Sequence, residues 1–291
     1  MIGRIRKGLR ISLRTLIIAI LLLAVWLGYQ VHRARDQLRA IEAIRAAGGW
    51  VRYADEFAMG PVNVPRGNRI WEPSWGTLTP GSGPRAPAWL RRAIGDEYFR
   101  EIAHVSTFVD LEEGSAAEPY PGKPPVDDTL RAIENQRGIR TLQIGGATVT
   151  GKGLDSVAKL TDLRELFIWW ATGIDDAAVA HIGRLPRLRV VDIHLSALTD
   201  EGVGHLAGLP ELEELSLEGK KFTDASLAHL SRAKHLKSLE LQSRPLEITD
   251  AGLEHLKGLK ELRLLDLQKA HITESGKARL LKSNPKLRIQ P

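Results

Sequence analysis

Cysteine is absent from the 291-residue chain. Without thiols the protein has no disulfide framework, no thiol nucleophile and no thiolate metal site. Aromatic residues make up only 5% of the sequence, and methionine occurs twice. The GxSxG and HExxH frames of many hydrolases are also missing from the sequence. Composition therefore gives no support to catalysis, and we expect neither an enzyme nor a cofactor.

One pattern, Leu-x-x-Leu-x-Leu, recurs six times in residues 139–291. Its matches are Ile139/Leu142/Ile144, Leu163/Leu166/Ile168, Leu188/Val191/Ile193, Leu212/Leu215/Leu217, Leu236/Leu239/Leu241 and Leu262/Leu265/Leu267. The last two apolar residues of each match alternate with other residues, which is strand spacing. A Thr-Asp pair such as Thr199-Asp200 then predicts a helix start. Since no unit can bury its own apolar stripe, we expect the units to stack on one another.

These units, of the type Ile248-Thr249-Asp250 followed by Gly252 and Leu253, resemble bacterial leucine-rich repeats over roughly the C-terminal half of the chain. The resemblance implies an α/β solenoid, a horseshoe with parallel strands on its concave face and helices on its convex face. Many such families have Asn or Cys where this chain has Ala147, Ala171, Ser196, Lys220, Arg244 and Ala270. We therefore expect no asparagine ladder, and the Thr-Asp caps are predicted to hold the turns.

The strand residues between the buried leucines should point away from the helices, because side chains alternate along a strand. The three resulting columns, here called the concave face, are Thr141/Glu165/Val190/Glu214/Ser238/Leu264, Gln143/Phe167/Asp192/Ser216/Glu240/Asp266 and Gly145/Trp169/His194/Glu218/Gln242/Gln268. Six of these eighteen residues are acidic and none is Lys or Arg. Large aromatic residues beside polar groups on such a face are typical of binding sites.

The candidate partner-binding residues are Phe167, Trp169, Asp192, His194, Glu214, Glu218 and Glu240. We expect them to bind a protein, peptide or glycan of basic or polyhydroxyl character. Covering of the aromatic rings by a loop, for example residues 57–87, is the alternative. It would favour a purely structural envelope protein. A hydrolase that uses Asp192, His194 and Glu218 is a third hypothesis, which requires shifted pKa values in a closed pocket.

A single long uncharged segment, residues 15–31, lies near the N-terminus. About 17–20 helical residues span the hydrocarbon core of a bilayer, and Trp26 and Tyr29 suit its interface. Residues 1–31 are therefore predicted to be a basic cytoplasmic tail and a transmembrane anchor, with the repeats outside the cytoplasm. A cleaved signal peptide is the alternative, but no small-x-small site follows the apolar run. Much of the net charge of +6 lies in the first 45 residues, so we expect no nucleic-acid partner.

Three regions connect this span to the repeats. Residues 32–56 are predicted to form a juxtamembrane helix, ended by Gly48-Gly49, and a short strand. Residues 57–87 hold six prolines and are predicted to form an ordered loop, with a linker as the alternative. Residues 88–138 are predicted to cap the solenoid, beginning with a helix over residues 87–102 and a strand over residues 105–111.

Two further motifs are better explained by the repeat than by chemistry. The segment Gly146 to Gly153 lacks the magnesium-binding Ser or Thr of a phosphate-binding loop, and its Thr150 occupies the capping position of the repeat. One histidine per repeat, at His181, His205, His229 and His255, could suggest metal, but duplication of a packing position explains the spacing. We expect neither nucleotide nor metal binding.

Overall fold

The computed structural model of the protein describes residues 13–53, 100, 102–107, 126–146, 148–194 and 196–290. The N-terminal elements are α1 (Leu13–Ala46), β1 (Trp50–Tyr53), β2 (Ile102–Ser106) and α2 (Asp127–Ile133). The repeats comprise β3 (Thr141–Gly145), α3 (Gly151–Val157), β4 (Glu165–Trp169), α4 (Asp176–Ile182), β5 (Val190–Ile193), α5 (Asp200–Leu206), β6 (Glu214–Gly219), β7 (Phe222–Thr223), α6 (Asp224–Leu230), β8 (Ser238–Ser243), β9 (Leu246–Glu247), α7 (Asp250–His255), β10 (Leu264–Asp266), α8 (Glu274–Ser283) and β11 (Arg288–Gln290).

The main sheet follows the repeat period. Its strand order is β1-β2-β3-β4-β5-β6-β8-β10-β11, and every neighbouring pair is parallel except β1 with β2. The predicted core residues lie side by side in register, as in the row Leu142, Leu166, Val191, Leu215, Leu239 and Leu265. Each of these six side chains is at most 1% exposed. The ladder therefore confirms the predicted stacking, and the fold is a leucine-rich repeat solenoid.

Each Thr-Asp pair serves two different coils of the solenoid. Thr199 is the N-cap of α5 and accepts a hydrogen bond from Glu201 N, as predicted. The carboxylate of Asp200 instead reaches the next coil, where it accepts from Thr223 N at 2.9 Å, Thr223 Oγ1 at 2.7 Å and Ser226 N at 3.1 Å. The equivalent pairs are Asp127 with Thr150, Asp176 with Thr199, Asp224 with Thr249 and Asp250 with Thr273. Each of the carboxylates in this ladder therefore ties the start of one helix to the start of the next.

The ladder is interrupted once, and the chain has adjusted on both sides of the gap. Gly151 stands where the other coils have the ladder Asp, and Asp175 stands where the next coil would have Thr. Asp175 caps its own helix by accepting from Ala178 N at 2.8 Å. In the intact coils the residue equivalent to Ala178 is glycine, except for Ser226, whose hydroxyl donates to the ladder carboxylate of Asp200; a Cβ on Gly202 would lie only 2.4 Å from Asp176 Oδ1. With no carboxylate on Gly151, alanine fits at residue 178.

Helix α1 joins the predicted membrane span to the solenoid without a break. Its first half is exposed, whereas Ala34, Ala40, Ile41 and Ile44 are buried in the core. The helix ends at Ala46, just before the predicted stop at Gly48-Gly49, and Gly48 has a φ of 79°, which glycine readily adopts. The N-terminal cap differs from the prediction in one respect: Ile102 begins β2 instead of ending a helix, because β2 pairs with both β1 and β3.

Several predictions fall outside the described residues. They are the basic tail at residues 1–12, the proline-rich loop at residues 57–87, the cap helix before residue 100 and the end of the cap strand beyond residue 107. The strand predicted at residues 105–111 begins earlier, at Ile102. The pairing of Ile102 with Tyr53 of β1 sets this start, whereas the hydropathy of the sequence placed it at residue 105.

Candidate functional site

Strand pairing places the predicted columns of the concave face side by side. In the second column, Gln143 pairs with Phe167, Phe167 with Asp192, Asp192 with Ser216, and onward to Glu240 and Asp266. Glu214 lies in the first column between Val190 and Ser238 and is half-buried. In the third column Trp169 pairs with Gly145, and Glu218 pairs with Gln242. His194 directly follows β5, and Gln268 lies two residues after the end of β10.

Two strands before the repeats extend the same columns. Arg52 pairs with His104 and His104 with Thr141, while Trp50 pairs with Ser106 and Ser106 with Gln143. Trp50 stacks on His104 with 4.8 Å between ring centroids, and burial lowers the pKa of His104 to about 3, with a smaller contribution from Arg52. Sequence reasoning missed these residues because β1 and β2 carry no repeat signature.

The aromatic pair differs from the prediction in its exposure. Phe167 is only 8% exposed, and Trp169 is half-buried with its ring centroid 5.4 Å from that of Phe167. The neighbouring Gln143 is 4% exposed. Alternation along the strand predicted correctly which side of the sheet Phe167 occupies, but it carries no information on what packs against that side. The burial of Phe167 agrees with the alternative of a covered ring, whereas the accessible part of the concave face includes Asp192, His194 and Glu218.

The centre of this accessible part is a cluster around His194. Its Nε2 lies 2.7 Å from Asp192 Oδ1 and 3.3 Å from Ser216 Oγ, and its Nδ1 lies 3.5 Å from Glu218 Oε2. The side chains of His194, Asp192 and Glu218 are 29%, 16% and 31% exposed. Three residues that the sequence nominated, two from one repeat and Glu218 from the next, are therefore in contact and partly exposed to solvent.

The electrostatics of this cluster favour a protonated imidazole. Burial alone lowers the pKa of His194, but the neighbouring Asp192, with weaker contributions from Glu240 and Glu218, outweighs burial and raises it. On the neighbouring strand β8, Gln242 Nε2 of the third column donates to Glu240 Oε1 of the second column at 2.7 Å. Burial and the charge of Glu240 raise the pKa of Asp266, which is 5% exposed. Negative charge is therefore concentrated in the second column, where burial and a neighbouring carboxylate disfavour the ionised form of Asp266.

The cluster resembles a catalytic triad only superficially. Ser216, His194 and Glu218 follow the order hydroxyl, imidazole and carboxylate. A general base, however, must hold an unprotonated nitrogen toward the nucleophile. Here Asp192 lies closer to Nε2 than Ser216 does and stabilises the protonated ring. The arrangement is therefore suited to holding charge and poorly suited to activating a serine.

The two other motifs have structural roles in the described residues. Thr150, in the glycine-rich segment, caps α3 and bonds to Asp127. Of the repeated histidines, His181 lies 3.5 Å from Asp155, His205 lies 3.9 Å from Glu201, and the ring of His229 packs against Gly204. Within the part of the chain that the structure describes, no three His, Asp or Glu side chains come together as metal ligands.

Fold and face together define a leucine-rich repeat protein with an acidic, partly accessible sheet surface. No family model matches the chain, and no curated protein matches it either. Among solved structures it is similar to internalin F of Listeria monocytogenes, with a TM-score of 0.43 and 21% identity over 55% of this chain and 42% of the internalin. Internalin C2 of the same species gives 0.43 and 22%, over 55% of this chain and 65% of that one. A leucine-rich repeat protein of Leptospira interrogans gives 0.39 and 18%, over 55% and 51%.

Proposed function

We propose that the protein is a membrane-anchored binding module whose concave face holds a basic segment of a partner protein. The observation that carries this proposal is the acidic group formed by Asp192, Glu218 and Glu240 on adjoining strands. The columns that hold it contain no Lys or Arg. Adjacent strands lie about 4.8 Å apart, so successive carboxylates match closely spaced cationic side chains of an extended segment.

A basic partner would relieve an existing electrostatic conflict. Burial and the charge of Glu240 raise the pKa of Asp266. The single imidazole of His194 faces three carboxylates, those of Asp192, Glu218 and Glu240, and can balance only part of their negative charge. A Lys or Arg side chain placed between Glu218 and Glu240 would add the missing positive charge. Such complementarity fixes register and suppresses wrong partners more than it adds raw affinity. We therefore expect a salt-sensitive complex of moderate strength.

Catalysis is not part of the proposal, because Asp192 lies closer to His194 Nε2 than Ser216 does and raises the pKa of the imidazole against the effect of burial. A purely structural role remains the second candidate, and the burial of Phe167 favours it, since that ring is not available as an anchor. The sequence leaves a peptide or a glycan as further classes of partner. The carboxylates favour a polypeptide that carries Lys and Arg over a neutral sugar.

The proposed membrane anchor is the N-terminal half of α1. This is the one helix among the described residues long and apolar enough to cross a membrane, and its apolar half is exposed. An anchor is favoured over a cleaved signal peptide because the helix continues without an extended segment through His32 and Arg33 into the buried Ala34. Extraction of cell membranes with alkaline carbonate tests this, since an uncleaved span keeps the intact chain in the pellet.

The binding test uses the full chain in nanodiscs, with a phage-displayed library of random peptides as the probe. Selected peptides should be enriched in Lys and Arg. Replacing Glu218→Gln together with Glu240→Gln should weaken their binding roughly three- to tenfold, or about 0.7–1.4 kcal/mol. The matched control, Glu201→Gln with Glu274→Gln, removes the same charge from the helix side, where both side chains are well exposed. Peptides without basic enrichment, or equal losses in both variants, would show that the concave face is not the site.

A further inference from the structure

The direction of α1 relative to the sheet fixes which edge of the solenoid meets the anchor. Gln37 Nε2 donates to Arg100 O at 3.1 Å, just before β2 begins. Just beyond the C-terminal end of the helix, Gly49 lies against Ser106 and Thr107 at the other end of β2. The helix therefore runs alongside β2 in the same sense. Its apolar first half projects beyond the amino ends of the strands.

The distance between the apolar span and this edge is short. Val31, the last residue of the span, precedes Gln37 by six residues, or about 9 Å of helix. The headgroup layer beyond the hydrocarbon core is about 6 Å thick on each side of a bilayer. Because α1 is unbroken from Leu13 to Ala46, no flexible linker separates the two. The amino ends of the strands are therefore held close to the headgroups.

The repeats carry this relation across the molecule. Strands β2 to β11 of the main sheet are parallel, so every helix-to-strand turn lies at the same edge, called here the amino-end edge. Its turns are residues 134–140, 158–164, 183–189, 207–213, 231–237, 256–263 and 284–287. With α1 standing across the bilayer, the repeats stack sideways from it, parallel to the membrane plane. The whole row of turns then faces the lipid.

The amino-end edge is strongly basic. Its seven turns hold fourteen Lys and Arg and five Asp and Glu, a net charge of +9. This exceeds the +6 of the whole chain. The exposed basic residues at this edge include Arg137, Arg184, Arg187, Lys234, Lys260 and Lys286. Several other bases pair within the edge, as Lys237 does with Glu213 at 3.0 Å, but the excess remains.

The opposite edge has a different character. Its six strand-to-helix turns within the repeats hold four basic and two acidic residues, and five of the six helices that follow begin with Asp or Glu. The ladder carboxylates, such as Asp200 and Asp224, lie on this side. The solenoid is therefore polarised from edge to edge. Its positive side is the one from which the anchor emerges.

We propose that the amino-end edge rests on anionic lipid headgroups of the bilayer that α1 enters. This inference depends on the proposed anchor and adds a second membrane contact to it. Each basic residue held within about 8–10 Å of an anionic surface is attracted to it, and salt screens this attraction. The strands then stand on the membrane with their amino ends down, and the concave face opens sideways, parallel to the bilayer.

The orientation can be tested with one fluorophore at a time, because the chain has no cysteine of its own. Gly258→Cys and Ala251→Cys introduce exposed thiols at opposite ends of the helical segment of one repeat. The labelled full chain is reconstituted in phosphatidylcholine vesicles, with or without phosphatidylglycerol, that contain a headgroup-attached quencher. We expect severalfold stronger quenching at residue 258 than at residue 251. Phosphatidylglycerol should increase the difference and added salt should reduce it.

Charge reversal separates electrostatic contact from mere proximity. Arg184→Glu, Lys234→Glu and Lys260→Glu together should abolish the response of the residue 258 label to phosphatidylglycerol. The control, Lys220→Glu, Arg244→Glu and Lys269→Glu, changes the net charge equally at the opposite edge and should leave that response intact. Circular dichroism checks that both variants fold. Loss of the response in both variants would overturn the proposal.

Failure of the proposed membrane anchor and failure of the proposed lipid contact of the amino-end edge give different experimental results. A chain that leaves the vesicles in alkaline carbonate refutes the anchor. A chain that stays with the vesicles but shows equal quenching at residues 251 and 258 refutes the edge contact alone. Binding of soluble heparin to the edge in phosphatidylcholine vesicles, with no response to phosphatidylglycerol, would identify a soluble polyanion as the partner and also overturn the lipid contact.

Discussion

At the scale of single residues, the ladder aspartates hold neighbouring coils together. Asp200 accepts hydrogen bonds from both the backbone and the side-chain hydroxyl of Thr223, and from Ser226 N. Asp200→Ala leaves these donors without their acceptor and should cost about 2–4 kcal/mol of unfolding free energy. Urea denaturation measures the loss. Glu201→Ala, one residue away and 76% exposed, should stay within about 0.5 kcal/mol, and a similar cost in both variants would contradict the ladder.

The pH dependence of the same residue follows from its partners. Burial alone would raise the pKa of Asp200, but hydrogen bonds from Ser226 and Thr223 outweigh it and lower the pKa. The stabilisation is therefore fully present above the unfolded pKa of aspartate, about 3.9, and is lost as pH falls through the lower folded value. The gap between wild type and Asp200→Ala should close over this acidic range.

His194 should show the opposite pH dependence. Its folded pKa is raised, on balance by Asp192, so its contribution to stability is fully present below the unfolded pKa of about 6.5 and is lost as pH rises through the folded pKa. His194→Gln should therefore lower the unfolding free energy most in mildly acidic solution. Urea titrations at several pH values measure this, and NMR of the imidazole locates its pKa. A loss that grows as pH rises would show that Asp192 does not hold the ring protonated.

At the scale of structural elements, the interrupted ladder predicts a coupling between adjacent coils. Gly151→Asp alone would face the carboxylate of Asp175, whereas Asp175→Thr alone would offer a hydroxyl with no acceptor. In an Ala178→Gly background, which leaves room for the new carboxylate, the two substitutions together restore the pairing found at Asp176 and Thr199. A double-mutant cycle in urea should give a favourable coupling of about 1–2 kcal/mol. Additive effects would mean that the pairing at the other coils is incidental.

The sequence predicts strands and helices here where a period controls them. The leucine register was predictable because one-residue slips would expose the whole apolar row. The helix caps were predictable from the chemistry of Thr and Asp. The contact of Asp200 with the next coil was not, because a Thr-Asp pair in the sequence is compatible with a local cap and with a contact between coils. The burial of Phe167 and the pairing of Trp50 depend on packing beyond one repeat. For His194 the sequence predicts only that it shares a column with Glu218, and not the side-chain contacts that it makes with Asp192 and Glu218.

At the scale of the whole molecule, the solenoid is a stack whose parts interact mainly with their neighbours. The ladder row, the leucine row and the basic turns all run in one direction from the coil that packs on α1. Nearest-neighbour stabilisation means that a complete coil can be removed if its two flanking coils then match. Partial removal breaks the same matching. The repeat period is therefore testable as a property of the fold.

Deletion of residues 187–210 removes one period of 24 residues and joins Pro186 to Glu211, which keeps the Leu-Pro-x-Leu frame of both coils. Asp176 can then meet Thr223 as it met Thr199. We expect cooperative unfolding with a smaller denaturant slope, because less surface is exposed on unfolding. Deletion of residues 200–211, half a period, should abolish cooperative unfolding, since β5 and β6 would be joined by residues 194–199 and 212–213 with no helix between them. Circular dichroism during urea titration distinguishes these outcomes, and equal damage from both deletions would mean that the coils are not interchangeable units.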